Sequence, residues 1–316
     1  MQLLRLVTER ILLSLLTLLL VSLIIFLMLE ILPGDVASRI LGRDATPESL
    51  AALRLRLHLD EPALVRCGEW LGNLLTGHLG NSLVSDRPIT DVLAPRILNT
   101  VLLSLYAFVT YIPLTVIPAL AQAVRRDGWV DHCLSIVTLV LLSMPDFLLG
   151  TILLVAFVIV VPLLPAMSLV DETSSAGEYL RAMTLPALTL AIVMAVYAAR
   201  MLRDNLIEVL DSDYVRMAEL KGLSAGRVLL RHALPNAVVP TLNVTALNLA
   251  YLVGGVVVVE KVFSYPGFGG LLVDALQLRD LPLIEATIMI AASVYIAANL
   301  IADVAAILLN PRLRNG

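Results

Sequence analysis

Long apolar stretches recur along the chain, and polar positions gather in the segments between them. A helix that crosses a bilayer needs about 20 mostly apolar residues. Six stretches reach this length, and they predict six membrane-spanning helices. They are Ile11–Leu32, Thr100–Val124, Cys133–Val161, Thr184–Leu202, Ala237–Val259 and Leu281–Leu309.

Two details refine these spans. The third and sixth stretches exceed the length that a bilayer needs, so we expect them to tilt or to emerge partly from it. The first is too long for the apolar core of a signal peptide, and no small-residue cleavage site precedes Asp35. We interpret it as a retained anchor.

Composition agrees with a membrane protein. The chain is 59% hydrophobic and 15% charged, with a mean hydropathy of +0.91, and a soluble domain needs more charge on its surface. Cys67 and Cys133 lie far apart in the predicted topology, so they indicate apolar fillers and no disulfide framework. The four histidines lack metal-ligand spacing, so no metal site is predicted.

Orientation follows from the basic residues of the short loops, which favour the cytoplasm. On one side, only Arg181 and Arg279 lie in short loops, with Lys261 at a span end. The opposite side holds Arg5, Arg10, Arg125, Arg126, Arg200, Arg203, Arg216, Lys221, Arg227, Arg231, Arg312 and Arg314. We therefore expect both termini to be cytoplasmic.

The long segment 34–96 then forms a small outer insertion after the first span. Thr46 is suited to cap a helix that begins at Pro47. The pattern of 69–75 predicts a second helix near the membrane interface, with Trp70 as its anchor. Glycine and proline residues end this helical part of the segment.

The segment Tyr214–Pro235, which we call the polar hairpin, is a polar island between the fourth and fifth spans. We expect Asp211 or Asp213 to cap a helix that runs to about Lys221. Gly222 would adopt the left-handed conformation that ends many helices.

The second half of the polar hairpin predicts another short helix, which Ser224 caps and which ends near Arg231. Pro235 would restart the chain into the fifth span. Basic residues outnumber acidic ones in the hairpin. Its one acidic residue is Glu219, and its basic residues are Arg216, Lys221, Arg227 and Arg231. Two interpretations stay open: a docking site for a soluble partner, or an ordinary basic cytoplasmic loop that is helical.

The polar hairpin resembles the cytoplasmic loop of permease subunits in bacterial ABC importers. The family pattern is Glu-Ala-Ala, then Gly after three residues, then Ile-x-Leu-Pro after nine more. Arg216-Met-Ala218 stands at the first motif, Gly222 at the glycine, and His232-Ala-Leu-Pro235 at the last. Arg216 and His232 depart from the pattern.

The rest of the chain is similar to one branch of that family, the first permease subunit of dipeptide, oligopeptide and nickel importers. Matching motifs occur in order along almost the whole length. They are Leu32-Pro-Gly-Asp35, Trp70-Leu-Gly-Asn73, Gly77-His-Leu-Gly-Asn-Ser82, Arg96-Ile-Leu-Asn-Thr100, Ser143-Met-Pro-Asp-Phe147, Tyr214-Val-Arg216, Arg231-His-Ala-Leu-Pro-Asn236 and Phe263-Ser-Tyr-Pro-Gly-Phe-Gly269.

The resemblance implies an all-α integral membrane protein with six transmembrane helices, both termini cytoplasmic, a periplasmic insertion after helix 1 and a coupling-helix hairpin between helices 4 and 5. Residues 1–96 would hold the first helix and the insertion, and residues 97–316 the permease domain. Contact with an ATPase would fall to Arg216, Ala218, Gly222, Ser224, Arg227, Val228, Leu229, Arg231 and Pro235.

The resemblance also implies the partners. They are a second homologous permease, two ATP-binding subunits, an external solute-binding protein and the bilayer, and no nucleic acid. The chain has no GxxxxGK[ST] phosphate loop, so we expect no catalytic residue or cofactor in it, with ATP and Mg on the partner ATPases. The expected substrates are peptides, with nickel or a nickel chelate as the alternative.

Polar residues inside spans mark candidate positions along a translocation path, because burying them in a bilayer is costly. Asp146 follows Pro145 in the third span, and it would contact a cationic substrate or, alternatively, cap backbone freed by the Pro145 kink or pair inside the bundle. Asn243, Thr245 and Asn248 are expected to share roughly one helix face, and so are Asn299 and Asp303; hydrogen bonding between helices is the alternative role for these residues. The candidates for the path are Ser143, Asp146, Asn243, Asn248, Asn299 and Asp303.

The glycine-rich segment Tyr265–Gly270, which we call the 265–270 loop, is not expected to be regular helix. It is either a re-entrant or outer gate loop, with Tyr265, Pro266 and Gly267 at the gate, or a plain outer turn.

Two other classes of function find little support. A membrane-embedded enzyme needs clustered catalytic groups, and no HExxH or GxSxG motif occurs. A transporter that works alone often carries inverted repeats, and no self-similarity is visible.

Overall fold

The computed structural model describes residues 2–31, 36–42, 46–56, 60–168 and 175–309. The described residues are helical, in turns or irregular, apart from one isolated bridge between Asn81 and Pro88. The motif Leu32–Asp35 lies outside the described residues. The helices are α1 Gln2–Ile31, α2 Val36–Leu41, α3 Pro47–Arg56, α4 Ala63–Thr76, α5 Ile89–Val124, α6 Trp129–Leu142, α7 Asp146–Leu154, α8 Ala176–Leu210, α9 Asp213–Leu220, α10 Ala225–Val228, α11 Leu234–Val262, α12 Phe268–Leu278 and α13 Leu281–Leu309.

Four of the described helices, α1, α5, α8 and α13, are long and apolar enough to cross a membrane. The bent pair formed by α6 and the helix after it adds a fifth span if it is counted as one. Helix α11 covers the fifth predicted stretch with 29 residues, but it is not among these four. The described part of the chain is therefore that of an all-helical membrane protein with four to five candidate spans, and the six-span topology stays a prediction.

The third predicted stretch is a broken helix, where we expected a long tilted one. Helix α6 ends at Leu142, α7 begins at Asp146, and the two axes differ by 113°. Pro145 causes the break, because its ring restricts the preceding residue and removes an amide donor. Pro145 itself is extended, with φ −62° and ψ 147°.

The chain forms two compact units, residues 1–96 with 271–316 and residues 97–270. In the first unit α1 packs along α13, and the rings of Phe26 and Trp70 lie 6.3 Å apart. The predicted cap of α3 is confirmed, since the Ser49 amide donates to Thr46 Oγ1 at 3.2 Å.

In the first unit, the buried carboxylate of Asp280 accepts hydrogen bonds just before α13 begins. Asp280 accepts a hydrogen bond from the Ser82 hydroxyl at 2.5 Å and one from the Leu83 amide at 3.1 Å. Its own carbonyl accepts from the Ile284 amide at 2.9 Å, so its backbone begins the helix. Asp280 thereby joins the turn after α4 to α13.

Helix α8 lies at the centre of the second unit and packs against α6, α7 and α11. Small side chains allow these close approaches. The buried alanines of α8 include Ala187, Ala191, Ala195 and Ala198. Larger side chains complete the core around them, among them Leu103, Met194, Val256 and Phe263.

Candidate functional site

The polar hairpin consists of two short helices that meet at a glycine. Helix α9 is followed by Gly222, whose φ is +77°. The Gly222 amide donates to Glu219 O at 2.8 Å, and the Leu223 amide donates to Ala218 O at 3.4 Å. The predicted left-handed glycine is confirmed.

The expected side-chain caps of the polar hairpin are wrong. Asp211 ends α8 and Asp213 is the first residue of α9, so Ser212 occupies the capping position between them. The Ser212 hydroxyl donates back to Val209 O, which leaves α9 without a side-chain cap. Ser224 occupies the capping position of α10 but makes no capping bond with its side chain.

Pro235 does not restart the chain, contrary to expectation. Helix α10 continues through a π turn, Leu229–Ala233, directly into α11, where Pro235 lies in the first turn. A proline is tolerated in a first turn, and a π turn changes the hydrogen-bond register just before it. The second helix of the hairpin is therefore continuous with the helix of the fifth predicted span.

The inner face of the polar hairpin is packed and hydrogen-bonded. Val215, Ala218 and Val228 are buried against Leu210 at the end of α8. The Asn236 side-chain amide donates to the Tyr214 hydroxyl of α9 at 3.1 Å, which joins α9 to α11. Because both short helices are held this way, the hairpin and the ends of α8 and α11 form one packed body.

The polar hairpin also exposes both apolar and basic side chains. Leu220 is 77% exposed and Leu230 58%, while Arg216 and Arg227 are also exposed. Grouped exposed apolar side chains often mark protein-interaction sites. Of the predicted coupling residues, the exposed ones are Arg216, Gly222, Ser224, Arg227, Arg231 and Pro235, and the buried or half-buried ones are Ala218, Val228 and Leu229.

Behind the hairpin, an ion pair joins three helices. Arg203 of α8 donates to both carboxylate oxygens of Asp131 in the first turn of α6, at 2.7 and 2.5 Å. Gln122 of α5 donates to the same carboxylate at 3.3 Å, and a cavity of about 130 Å³ lies beside the pair. From the sequence alone, Arg203 and Asp131 could be recognised only as charged residues near the ends of predicted spans.

A second ion pair lies closer to α9. Arg126 donates to Asp211 at 2.7 Å across an exposed surface. The hydrogen bond and charge of Asp211 raise the pKa of Arg126 above its ordinary value. Both ion pairs therefore attach the turn between α5 and α6 to the final turns of α8.

Asp146 begins α7 and accepts a hydrogen bond from the Tyr251 hydroxyl of α11. Both side chains are half-buried. Pairing inside the bundle, one of the alternatives, is therefore the arrangement in this conformation. Whether Asp146 also contacts a substrate stays a prediction.

The expectation that three polar residues of α11 share one face is wrong. Thr245 pairs with Tyr111 of α5 at 2.8 Å, Asn248 donates to Met194 O of α8 at 3.1 Å, and Asn243 is exposed. At about 100° per residue, positions 243 and 245 point in nearly opposite directions.

The other candidates for the path lie apart from these. The Ser143 hydroxyl is exposed at the end of α6 and donates to Leu139 O at 2.9 Å. Asn299 is half-buried on α13. Asp303 follows one helical turn later, and its side chain lies outside the described residues.

The 265–270 loop is only partly irregular, since Phe268–Gly270 form the first turn of α12. The backbone before them reverses at Ser264, whose φ is +51°. Asn99 of α5 donates to Pro266 O at 2.8 Å, and Tyr265 is 2% exposed. This part of the molecule is thus well ordered by hydrogen bonds to other helices.

Sequence reasoning missed the carboxylate beneath this loop. Glu260 is fully buried at the end of α11 and accepts bonds from the Thr100 hydroxyl at 2.5 Å and the Gly270 amide at 2.7 Å. The available signal was an acid directly after the apolar run 252–259, nine residues before a pair of glycines.

Comparisons with known proteins show which family the chain resembles. The family model described as "Binding-protein-dependent transport system inner membrane component" matches residues 111–315. The model of the corresponding N-terminal region matches residues 3–104.

Individual relatives match over nearly their whole length. A protein of Brucella abortus (strain 2308) that is named as a peptide transport system permease protein is 37% identical over 94% of both chains. The glutathione transport system permease protein GsiC of Salmonella choleraesuis is 36% identical over 94% of this chain and 95% of its own.

Proposed function

Because the chain belongs to the family of binding-protein-dependent transport system inner membrane components, we propose that it forms half of a translocation path for peptides. It is a multi-pass protein of the bacterial inner membrane and a permease subunit of an ABC importer. The relatives described above are named for peptide and glutathione transport, which favours a peptide substrate over nickel.

The observation that carries the coupling role is the two-faced polar hairpin. Its inner face packs on α8 through Val215 and Val228, while Leu220, Leu230, Arg216 and Arg227 are exposed. An apolar patch with a basic rim suits a groove on a soluble subunit. The hairpin would dock there on an ATP-hydrolysing partner.

The mechanism is rigid-body transmission. ATP-driven motion of the partner would displace the hairpin, and the continuous helix α10–α11 would carry that displacement into the fifth span. The Arg203–Asp131 and Arg126–Asp211 pairs would move the turn between α5 and α6 with it.

The complete importer in this proposal has a second homologous permease, two ATP-binding subunits and an external solute-binding protein. ATP and Mg bind on the ATPase subunits, and this chain contributes no catalytic residue. In the path, Asp146 would meet a substrate ammonium after leaving Tyr251, because a carboxylate attracts that cation directly.

The experiment that tests docking is co-purification of the ATPase subunits with the full complex. Leu220→Glu places a charge where an apolar contact is proposed, so ATPase recovery and peptide uptake should fall together. Leu75→Glu is the matched control, because Leu75 is 86% exposed on α4. Full ATPase recovery with the Leu220 variant would refute docking at this face.

A further inference from the structure

The carboxylate of Glu260 acts as the cap of a helix to which it does not belong. The first turn of a helix leaves several amides without intrahelical partners, and negative charge is favoured there. In α12 the Gly270 amide donates to Glu260 Oε2 at 2.7 Å. The Phe268 amide donates to Thr100 Oγ1 at 2.8 Å.

Thr100 and Glu260 are also hydrogen-bonded to each other. The Thr100 hydroxyl donates to Glu260 Oε1 at 2.5 Å, which joins α5 to α11. Because that hydroxyl also accepts from Phe268, a single side chain connects both helices to α12. Separation of α5 from α11 would therefore break the hydrogen bonds of this first turn.

The carboxylate fits closely under the glycines of the 265–270 loop. A Cβ on Gly267 would lie 1.9 Å from Glu260 Oε1, and a Cβ on Gly269 would lie 2.5 Å from a methyl of Val257. Only glycine lets the backbone approach α11 so closely. The loop thus lies directly on the carboxylate.

Asn99 holds the beginning of the loop. Its side-chain amide donates to Pro266 O at 2.8 Å, and its backbone carbonyl accepts from the Tyr265 hydroxyl at 2.8 Å. Tyr179 of α8 donates to Asn99 Oδ1 at 2.5 Å. Polar groups of α5, α8 and α11 therefore converge on one short segment.

We propose that Glu260 is the positioning residue that holds the 265–270 loop closed, and that its bonds to Thr100 and Gly270 break and re-form in each transport cycle. This inference rests on the proposed function. Alternating access requires relative movement of packed elements, and the loop could leave α5 and α11 only if these bonds break. Glu260 contacts no substrate in this scheme and acts through the loop.

Hydrogen exchange in the full complex, reconstituted with the binding protein and the ATPases, tests the closed and open states. The amides of Phe268 and Gly270 should exchange slowly at rest. They should exchange at least ~10-fold faster in a complex that is trapped with a non-hydrolysed nucleotide, because exchange requires their bonds to open. Equal protection in both states would overturn the proposal.

Substitutions provide a second measurement. Glu260→Gln keeps one of the two acceptor oxygens and replaces the other with an NH2 group, which cannot accept a hydrogen bond. The loss of one hydrogen bond shifts the equilibrium between the closed and open loop by about 3- to 10-fold. ATP hydrolysis without binding protein should rise by about that factor, and stimulation by loaded binding protein should fall. Glu208→Gln on an exposed position of α8 is the matched control.

A second pair separates loop release from damage to the fold. Thr100→Val removes the hydroxyl and should mimic Glu260→Gln, whereas Thr100→Ser retains it and should restore normal stimulation. A merely structural role predicts lower thermal stability with an unchanged ratio of stimulated to basal hydrolysis, and that result would overturn the proposal.

Failure of this inference is distinguishable from failure of the proposed function. A wild-type complex without binding-protein-stimulated ATP hydrolysis would refute the proposed function itself. A wild-type complex that hydrolyses ATP and imports peptide, with loop amides equally protected in every state, would refute only the role of Glu260.

Discussion

The Arg203–Asp131 ion pair allows a quantitative prediction about stability. Arg203→Met removes a guanidinium that makes two charge-assisted hydrogen bonds to a carboxylate whose side chain is 4% exposed. Breaking a buried pair by removing one partner costs about 3–5 kcal/mol. The Gln122 side chain and the Asp127 amide still donate to Asp131 at 3.3 and 3.1 Å.

These remaining donors, together with the 21% exposure of Arg203, reduce the expected loss to about 2–3 kcal/mol. We expect the midpoint of thermal unfolding in detergent to fall by roughly 5 °C or more. The double variant Asp131→Leu/Arg203→Met removes both charges, and apolar replacement of a buried pair is often neutral. Its midpoint should lie between those of the Arg203 single variant and the wild type, because the Gln122 side chain and the Asp127 amide also lose an acceptor.

The control is Arg126→Met, which breaks the exposed pair with Asp211 and should leave the midpoint close to that of the wild type. Two results would refute the reasoning. One is an unchanged midpoint for Arg203→Met, and the other is a double variant that is less stable than the Arg203 single variant. Either would mean that the carboxylate is adequately solvated without the guanidinium.

Three further predictions concern other parts of the chain. Gly222→Pro should retain membrane insertion but abolish binding-protein-stimulated ATP hydrolysis, since proline cannot adopt the φ of +77° found there; wild-type stimulation would contradict this. Asp146→Asn should lower uptake of cationic peptides at normal complex yield if the residue meets substrate, and unchanged uptake would leave it a structural partner of Tyr251. Asp280→Ala should lower the unfolding midpoint by several degrees, because two donors lose a buried acceptor; an unchanged midpoint would show that water replaces it.

Features that depend on neighbouring residues could be predicted from the sequence. Five of the six apolar stretches correspond to long helices, because each contains enough apolar residues to cover its own backbone in lipid. Gly222 ends α9 and Thr46 caps α3, since both roles depend on positions within four residues. The order of motifs along the chain likewise indicated the family that the comparisons show.

Only the tertiary structure determines which residues far apart in the sequence form hydrogen bonds with each other. Glu260 looked like an ordinary acid at a span end until α5 brought Thr100 to its carboxylate. Asp146 was a candidate for the path whose bond to Tyr251 no spacing revealed. The sequence determines a side chain's charge and its local position in a helix. The packing of the helices determines which donor forms a hydrogen bond with a buried carboxylate.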